Sequence, residues 1–237
     1  MDKFFLRGFV EKILDLIFPP KCGFCGEITS NKQFICENCY NLSIQKYTNR
    51  CKLCGKISFD EICIECQNKT IYYDEFIFCS EYTDEIKHKI HLYKFKDKKH
   101  YYHFFTELLY RNIKGVKADF IVPVPISRER YKERGYNQSG LIAKKLSKLL
   151  EIPYMPDLLI KTKDIKRQSM QNYKNRKESV KNVFDVADNI DVGGSALLLI
   201  DDVFATGSTV NECSKVLKKA GAKNIKVAVI SISHTLK

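Results

Sequence analysis

The chain has 237 residues, of which 44% are hydrophobic and 12% are aromatic. This composition argues against a disordered chain, and the length accommodates one full α/β domain together with a small additional module. Basic residues exceed acidic residues by 12, and the excess is concentrated between residues 85 and 181, which hold 24 basic and 10 acidic side chains. This concentration indicates a polyanionic partner, with the solvated surface of a Lys-rich protein as the alternative.

Residues 1–20, MDKFFLRGFVEKILDLIFPP, form an apolar segment that charged residues interrupt repeatedly. The uninterrupted apolar spans are too short for a membrane and no small-residue cleavage site follows, so we expect neither a transmembrane helix nor a secretory signal. The pattern predicts an amphipathic helix that ends at the two prolines. This helix either packs on the rest of the protein or docks on a membrane surface.

Eight of the ten cysteines lie between residues 21 and 70 as four Cys-x2-Cys pairs, and the two halves of this segment repeat each other. Four thiolates at this spacing are typical of a structural zinc site, so the segment predicts two zinc ions. Disulfides would need an oxidising compartment, and an iron–sulfur cluster is a further alternative. We expect sequential pairing, with cross-braced pairing left open. One zinc would then bind Cys22, Cys25, Cys36 and Cys39, and the other Cys51, Cys54, Cys63 and Cys66.

A segment of this size with few large aliphatic side chains can bury little core, so zinc is expected to supply most of its stability. The two remaining cysteines, Cys79 and Cys213, lie on apolar patterns elsewhere in the chain and are predicted core residues.

The apolar run 196–200 has the length of a buried parallel strand and is followed directly by Asp201 and Asp202. Helical periodicity begins at Ser208, so the turn between them leads into a helix N-terminus, where backbone N–H groups and the helix dipole suit a phosphate. The two carboxylates suit ribose hydroxyls or a divalent cation, although capping of the turn is the alternative. The predicted phosphate loop consists of Ala205, Thr206, Gly207, Ser208 and Thr209.

Residues 118–150 predict a second strand, a basic loop and a helix that starts near Asn137. Ligands of α/β sheets lie at the carboxyl ends of the strands, so we expect this loop to face the same cleft as the two aspartates. Guanidinium groups bind pyrophosphate oxygens in bidentate fashion, which makes Arg128 and Arg134 candidate pyrophosphate ligands. A solvent-facing charged loop is the alternative.

Residues 85–105 mix histidines, lysines and aromatic rings. Bases stack on rings while ammonium groups contact phosphates, so the mixture fits single-stranded nucleic acid, with Lys96, Lys98 and Lys99 as candidate contacts. Helical spacing of apolar residues in the same segment favours core packing of the rings as the alternative. No histidine has an identifiable catalytic partner.

LLLIDDVFATGSTV is similar to the phosphoribosyl pyrophosphate (PRPP) motif of type I phosphoribosyltransferases. Together with LIFPPKCGFCG, IHLYKFKDKKH and RERYKERGYNQ, it resembles the ComF (competence protein F) family of amidophosphoribosyltransferase-like proteins over nearly the whole chain. A further segment matches that family at Gln168 and Arg176 but departs from it at Ile165 and Ser179.

The resemblance implies an α/β fold, a type I phosphoribosyltransferase-like parallel sheet flanked by helices and preceded by a small zinc-ribbon module. The implied domains are the helix 1–20, the Cys-rich module 21–70 and the transferase-like domain 71–237. By the same resemblance, Asp201 and Asp202 hold the ribose hydroxyls of PRPP and would be the catalytic residues of any transfer, while the phosphate loop holds the 5′-phosphate.

The family is associated with natural transformation, which implies a cytoplasmic protein that acts in DNA uptake at the inner face of the membrane, with peripheral membrane contact. The implied ligands are PRPP with Mg²⁺ and single-stranded DNA, beside two structural Zn²⁺ ions. Implied partners are a competence helicase and other DNA-uptake proteins. Ammonia transfer from glutamine is not expected, because the first cysteine belongs to a zinc pair. An active phosphoribosyltransferase with an unidentified acceptor and a nucleic-acid-binding adaptor with a vestigial transferase domain remain open.

Overall fold

The computed structural model describes residues 19–29, 33–43, 49–162, 182–188 and 190–233. The predicted helix up to Phe18 and the segment with Gln168 and Arg176 lie outside the described residues. The chain forms two compact units, residues 1–45 and residues 46–237.

The first unit holds the first group of four cysteines. An isolated antiparallel bridge joins Lys21 to Ile28, and a helix, α1, follows at Glu37–Ser43. The turn between the bridge partners returns the chain so that the N–H of Gly26 donates to the carbonyl of Cys22 over 2.9 Å.

The second unit alternates strands and helices after a cysteine-rich start. In chain order its described elements are α2 (Ile64–Gln67), β1 (Glu75–Glu81), α3 (Asp84–Phe95), α4 (Tyr101–Ile113), β2 (Phe120–Pro123), α5 (Arg128–Arg134), α6 (Gln138–Leu150), β3 (Leu159–Lys161), β4 (Phe184–Val186), β5 (Ala196–Phe204), α7 (Ser208–Lys219) and β6 (Asn224–Ile232).

Four of these strands form the parallel sheet that the sequence predicts, in the order β1-β6-β5-β2. The two central strands, β5 and β6, are almost entirely buried, which explains their continuous apolar runs. The remaining two strands, β3 and β4, pair antiparallel with each other.

Side chains of β5 alternate between the two faces of the sheet. Leu197 and Leu199 belong to one apolar cluster with α7, the β3–β4 pair and the second group of cysteines. On the other face, α4 and α6 pack against each other and on the strands. Cys79 and Cys213 are 2% and 0% exposed, so their prediction as core residues is confirmed.

The prediction of a basic loop at residues 128–134 is wrong, because these residues form the helix α5. Ser127 caps its start by accepting a hydrogen bond from the N–H of Arg130, and Gly135 ends it with a φ of 74°. The strand expected to end at Ile200 continues to Phe204, so both aspartates lie inside β5. Within the described part of the chain, no helix is long and apolar enough to cross a membrane.

Candidate functional site

Two neighbouring carboxylates occupy the carboxyl-terminal half of the central strand β5. Asp202 is 5% exposed, and its Oδ1 lies 2.8 Å from the ammonium nitrogen of Lys94. Asp201 accepts hydrogen bonds at Oδ1 from the hydroxyl of Ser139 over 3.1 Å and from the N–H of Asp202 over 2.9 Å. Helices α3 and α6 therefore both deliver polar side chains to this end of the sheet.

Lys94 and Ser139 are not among the site residues predicted from the sequence. A signal for Lys94 was present, since it lies four residues after Ile90 and eight after Ile86, both of which are buried on α3. Helical spacing thus places this lysine at the border of the core, where a cation needs a partner. Ser139 follows the N-cap Asn137 of α6, and its role depends on a contact with a strand 62 residues later in the chain, which spacing does not show.

Burial raises the pKa of Asp201 to about 7, and the charge of Asp202 adds to this effect. The N–H of Asp202, the ammonium of Lys94 and the hydroxyl of Ser139 oppose the shift. The carboxyl pair consequently prefers to carry one negative charge, which Lys94 balances. A divalent cation or a set of hydroxyl donors would stabilise the second charge.

Arg134, the last residue of α5, interacts electrostatically with Asp202. Its guanidinium stacks over the ring of Phe95 with 4.8 Å to the ring centroid, while its Nε and Nη1 are buried without a hydrogen-bond partner among the described residues. Burial lowers the pKa of Arg134, and the charge of Asp202 opposes this. The charge interaction of Arg134 with Asp202 is in keeping with the predicted common cleft. Arg128 is exposed at the start of α5, and no described hydrogen bond or ion pair joins it to either carboxylate.

The loop 205–209 connects β5 to α7 as expected. The first helical bond of α7 runs from the N–H of Asn211 to the carbonyl of Gly207 over 2.9 Å, so the N–H groups before it point out of the helix end. The hydroxyl of Thr206 donates to that of Ser208 over 2.9 Å. All five loop residues are partly exposed and therefore accessible to a ligand.

Gly207 has a φ of 75°, a conformation that side chains rarely adopt. A Cβ placed on it would lie 2.5 Å from Cζ of Phe204, which fills the space beneath the loop. The glycine is therefore required by the packing of the loop on Phe204, in addition to any close approach of a phosphate. Substitution at Gly207 would disturb the loop itself, so the hydroxyl residues are better test positions.

The eight clustered cysteines form two groups in the sequential pairing. In each group the four Sγ atoms lie within 4.8 Å of one another: Cys22, Cys25, Cys36 and Cys39 form the first, and Cys51, Cys54, Cys63 and Cys66 the second. Cross-braced pairing is therefore ruled out. The Sγ atoms of Cys25 and Cys36 are 3.8 Å apart and those of Cys54 and Cys63 are 3.7 Å apart. A tetrahedral zinc with Zn–S bonds of about 2.3 Å requires sulfur–sulfur distances of about 3.8 Å, so both groups fit this ion.

The two groups repeat each other in their hydrogen bonds. Cys22 accepts from the N–H groups of Phe24 and Cys36, and Cys51 accepts from those of Leu53 and Cys63, over 3.3 to 3.5 Å. Burial raises the pKa of these two acceptor thiols, but the N–H donors outweigh it and lower each pKa to about 7. Such donors stabilise thiolate, the form that binds a metal.

Two segments that carry several lysines and arginines meet where Arg134 stacks on Phe95. Three exposed lysines follow the end of α3: Lys96, Lys98 and Lys99. Three further cations are exposed on α5: Arg128, Arg130 and Lys132. The stacking of Arg134 on Phe95 joins the two segments, and the ammonium of Lys99 lies 5.5 Å from the ring centroid of Tyr136. Phe95 and Tyr131 are 47% and 54% exposed. We call residues 95–99 and 128–132 the basic face.

The other rings of the same segment divide between core and surface. Tyr93, Phe104 and Phe105 are buried and pack together, with ring centroids of Tyr93 and Phe105 5.5 Å apart. Core packing therefore accounts for these rings, whereas Phe95 is 47% exposed and packs against His91 and Arg134.

Two domain families and several relatives of nearly full length match this chain. Residues 13–67 match the double zinc ribbon domain, and residues 137–233 match the phosphoribosyl transferase domain. Competence protein F of Haemophilus influenzae is 28% identical over 221 residues, which cover 87% of this chain and 94% of that protein. DNA utilization protein YhgH of Escherichia coli is 26% identical over 213 residues, with 87% of each chain covered. Competence protein ComFC of Streptococcus pneumoniae is 25% identical over 231 residues, with 87% and 97% covered.

These matches confirm the expected fold class, in which a zinc-ribbon module precedes a type I phosphoribosyltransferase-like domain. The boundaries of the match at residues 137–233 enclose α6, β5, α7 and β6, which carry Ser139, both aspartates and the phosphate loop.

Proposed function

Because this chain belongs to the competence protein F family, with a double zinc ribbon and a phosphoribosyltransferase domain, we propose that it binds PRPP with Mg²⁺ and contacts single-stranded DNA during DNA uptake. Its place of action would be the cytoplasmic side of the membrane, with other uptake proteins as partners. The names of the relatives, which refer to competence and DNA utilization, support the biological context.

The observation that carries PRPP binding is the arrangement of Asp201, Asp202 and the loop 205–209 on one strand–loop–helix unit. The loop offers N–H groups and hydroxyls for a 5′-phosphate, and the carboxylates offer acceptors for the adjacent ribose hydroxyls. Arg134, with two buried nitrogens that have no hydrogen-bond partner among the described residues, suits the pyrophosphate. Arg128, which is exposed at the start of α5, is the second candidate pyrophosphate ligand.

A magnesium ion fits the donor set near Asp202. The Oδ2 atom of Asp202 is buried and accepts no hydrogen bond from the described residues, while its Oδ1 is paired with Lys94. Oxygen atoms are the ligands that Mg²⁺ prefers, and this ion usually bridges one or two carboxylates, waters and the phosphates of its substrate. The bound ion would supply charge neutralisation of the pyrophosphate.

Single-stranded DNA is the partner that the basic face suits best. Its exposed rings, Phe95 and Tyr131, offer stacking surfaces among exposed cations that would contact the phosphates. Lys96, Lys98 and Lys99 remain the proposed contacts, and the exposed cations Arg130 and Lys132 of α5 are further candidates.

Isothermal titration calorimetry with PRPP, with and without Mg²⁺, tests the proposal. We expect Thr206→Ala to weaken PRPP binding by about tenfold, the value of about one hydrogen bond to a charged group. Ser147→Ala is the control, because within the described part of the chain the recorded bond of this hydroxyl on α6 is to the carbonyl of Lys144. Equal PRPP affinities of wild type and Thr206→Ala would show that the loop is not part of the binding site.

The same titration separates the remaining functions. A protein that binds DNA but gives no heat with PRPP would be an adaptor with a vestigial transferase domain. Release of pyrophosphate on addition of a nucleobase or amine would identify an active transferase. The intact aspartate pair and phosphate loop favour PRPP binding over the adaptor.

A further inference from the structure

The second group of cysteines packs on the transferase-like sheet through an aromatic chain. The hydroxyl of Tyr73 donates to the carbonyl of Leu53, between two of these cysteines, over 2.5 Å. The ring of Tyr73 lies 6.2 Å from that of Phe76, and the ring of Phe76 lies 4.4 Å from that of Phe204. Phe204 is the residue beneath Gly207, so this chain of rings ends under the phosphate loop.

A second connection runs through the side chain of Asn211, in the first turn of α7. Its Oδ1 accepts from the N–H of Tyr72 over 2.9 Å, and its Nδ2 donates to the carbonyl of Thr70 over 3.0 Å. The backbone N–H of Asn211 donates a hydrogen bond to the carbonyl of Gly207. One residue thus fastens the segment that leaves the cysteines to the helix turn that shapes the loop.

The turn of the second cysteine group also lies on the carboxyl ends of β1 and β6. A Cβ at Gly55 would be 2.8 Å from Cε1 of Phe78 and 3.1 Å from Cδ1 of Ile232. The guanidinium of Arg50 donates to the carbonyl of Gly55 and forms an ion pair of 2.6 Å with Glu81, the last residue of β1. The group therefore lies at the same edge of the sheet as the carboxylates.

Residues 51–66 contribute four buried cysteines and the partly buried Leu53 to the apolar cluster, which is too little for a core of their own, so their fold depends on the metal that the thiols bind. Without it, Tyr73 would lose its partner Leu53, and the segment 70–72 that leads from the cysteines to β1 would lose the neighbour on its amino-terminal side. None of these connecting residues belongs to the first cysteine group, which lies in the other compact unit.

We propose that the second zinc site is a structural part of the phosphate site, and that Asn211 and Phe204 are the positioning residues through which it orders the loop 205–209. The inference rests on the proposed PRPP binding for its ligand, but the ordering of the loop stands independently of it. Occupancy of this one zinc site would thereby control affinity for a ribose phosphate.

The internal repeat supplies a matched pair of variants, Cys63→Ser in the second site and Cys36→Ser in the first. We expect Cys63→Ser to weaken PRPP binding by about tenfold, within the usual range of coupling between sites, and Cys36→Ser to change it less than about twofold. Hydrogen exchange of residues 205–210 should become faster in Cys63→Ser alone. Equal effects of the two variants on both measurements would overturn the proposal.

Asn211→Ala tests the connection without touching a cysteine, should Cys63→Ser not fold. We expect about tenfold weaker PRPP binding with both zinc ions retained, measured well below the melting temperature of each variant. Asn112→Ala is the control, since this asparagine bonds to the carbonyl of Leu108 on α4. A merely stabilising role of Asn211 would lower the melting temperature and leave the affinity unchanged, which would contradict the proposal.

Coupling between two sites is reciprocal in free energy, so PRPP with Mg²⁺ should raise the affinity for one zinc ion of two, measured at equilibrium by competition with a chelator. The ion whose affinity rises should be absent from Cys63→Ser. If the wild type binds no PRPP, the proposed function fails, and hydrogen exchange of the loop in Cys63→Ser still decides the inference: unchanged exchange would overturn it.

Discussion

Asp201 and Asp202 occupy a place where two carboxylates cannot both be charged at low cost. Lys94 balances one of the two charges, and burial raises the pKa of Asp201 to about 7. The free protein therefore stores an unfavourable interaction that hydroxyl donors and a cation of a bound ligand would relieve. The second carboxylate therefore lowers the stability of the free protein while it favours binding of the ligand.

Asp201→Asn should therefore stabilise the free protein at alkaline pH. Between about pH 4 and pH 7 the folded state holds a proton at Asp201 that the unfolded chain has lost, so the free energy of unfolding falls as the pH rises through this window. The asparagine cannot ionise and keeps the acceptor for the N–H of Asp202. We expect the free energy of unfolding of the variant to exceed that of wild type by about 4 kcal/mol at pH 8, since each unit of the raised pKa of Asp201 is worth about 1.4 kcal/mol, and to match it at pH 4.

Urea unfolding of both proteins at the two pH values measures this difference. Calorimetry on the same samples should show lost PRPP binding in the variant. A variant less stable than wild type at pH 8 would mean that Lys94 and Ser139 compensate the charge of Asp201 fully.

At the scale of elements, the cysteine-rich segments behave differently from the helices and strands around them. Each turn returns the chain through a glycine with positive φ, Gly26 or Gly55, whose N–H bonds to the carbonyl of the first cysteine. The N–H groups that point to sulfur come from other residues, such as Cys36 and Cys63. Metal binding closes these segments, because their thiols replace the apolar side chains of an ordinary core.

Elemental analysis should therefore find two zinc ions per chain. Because the pairing is sequential, Cys36→Ser and Cys63→Ser should each lose one ion. The apparent free energy of zinc binding at each site is on the order of 10 kcal/mol. Cys213→Ser is the control, since this buried cysteine belongs to neither group. Iron in place of zinc, or a single zinc in wild type, would refute the assignment of two zinc sites.

At the scale of the whole molecule, charge is distributed unevenly over the described part of the transferase-like unit. The basic face combines exposed cations of two segments that are separated by about thirty residues in the chain, and Arg134 on Phe95 joins them. Other exposed lysines, Lys114, Lys117 and Lys223, lie at the amino-terminal ends of strands, away from the carboxyl ends where the aspartates lie. This separation permits a charge-matched comparison.

Replacement of Lys96, Lys98 and Lys99 by serine should reduce the salt dependence of single-stranded DNA binding. Each phosphate contact contributes about 0.7 to the slope of log affinity against log salt, so the slope should fall by about 2. Replacement of Lys114, Lys117 and Lys223 removes the same charge and should leave the slope unchanged. Fluorescence anisotropy at several salt concentrations measures both, and equal slopes in all three proteins would exclude the basic face as the DNA contact.

The sequence by itself determined the local units of this protein. Cysteine spacing predicted two groups of four thiols, and the apolar run before Asp201 and Asp202 predicted a buried parallel strand that leads through a turn into a helix. These features depend on residues close together in the chain, where spacing and periodicity carry the information.

Only the tertiary structure decided how these units combine. The pairing of Lys94 with Asp202 joins residues 108 positions apart, and Asn211 bonds to backbone groups about 140 positions earlier. The helix α5 formed where a loop was expected, because its caps outweigh the repulsion among its cations. The packing of the second cysteine group against Phe76 and Phe204 likewise follows from the folding of the sheet. Contacts between distant segments depend on the register and burial of whole elements, which no local pattern encodes.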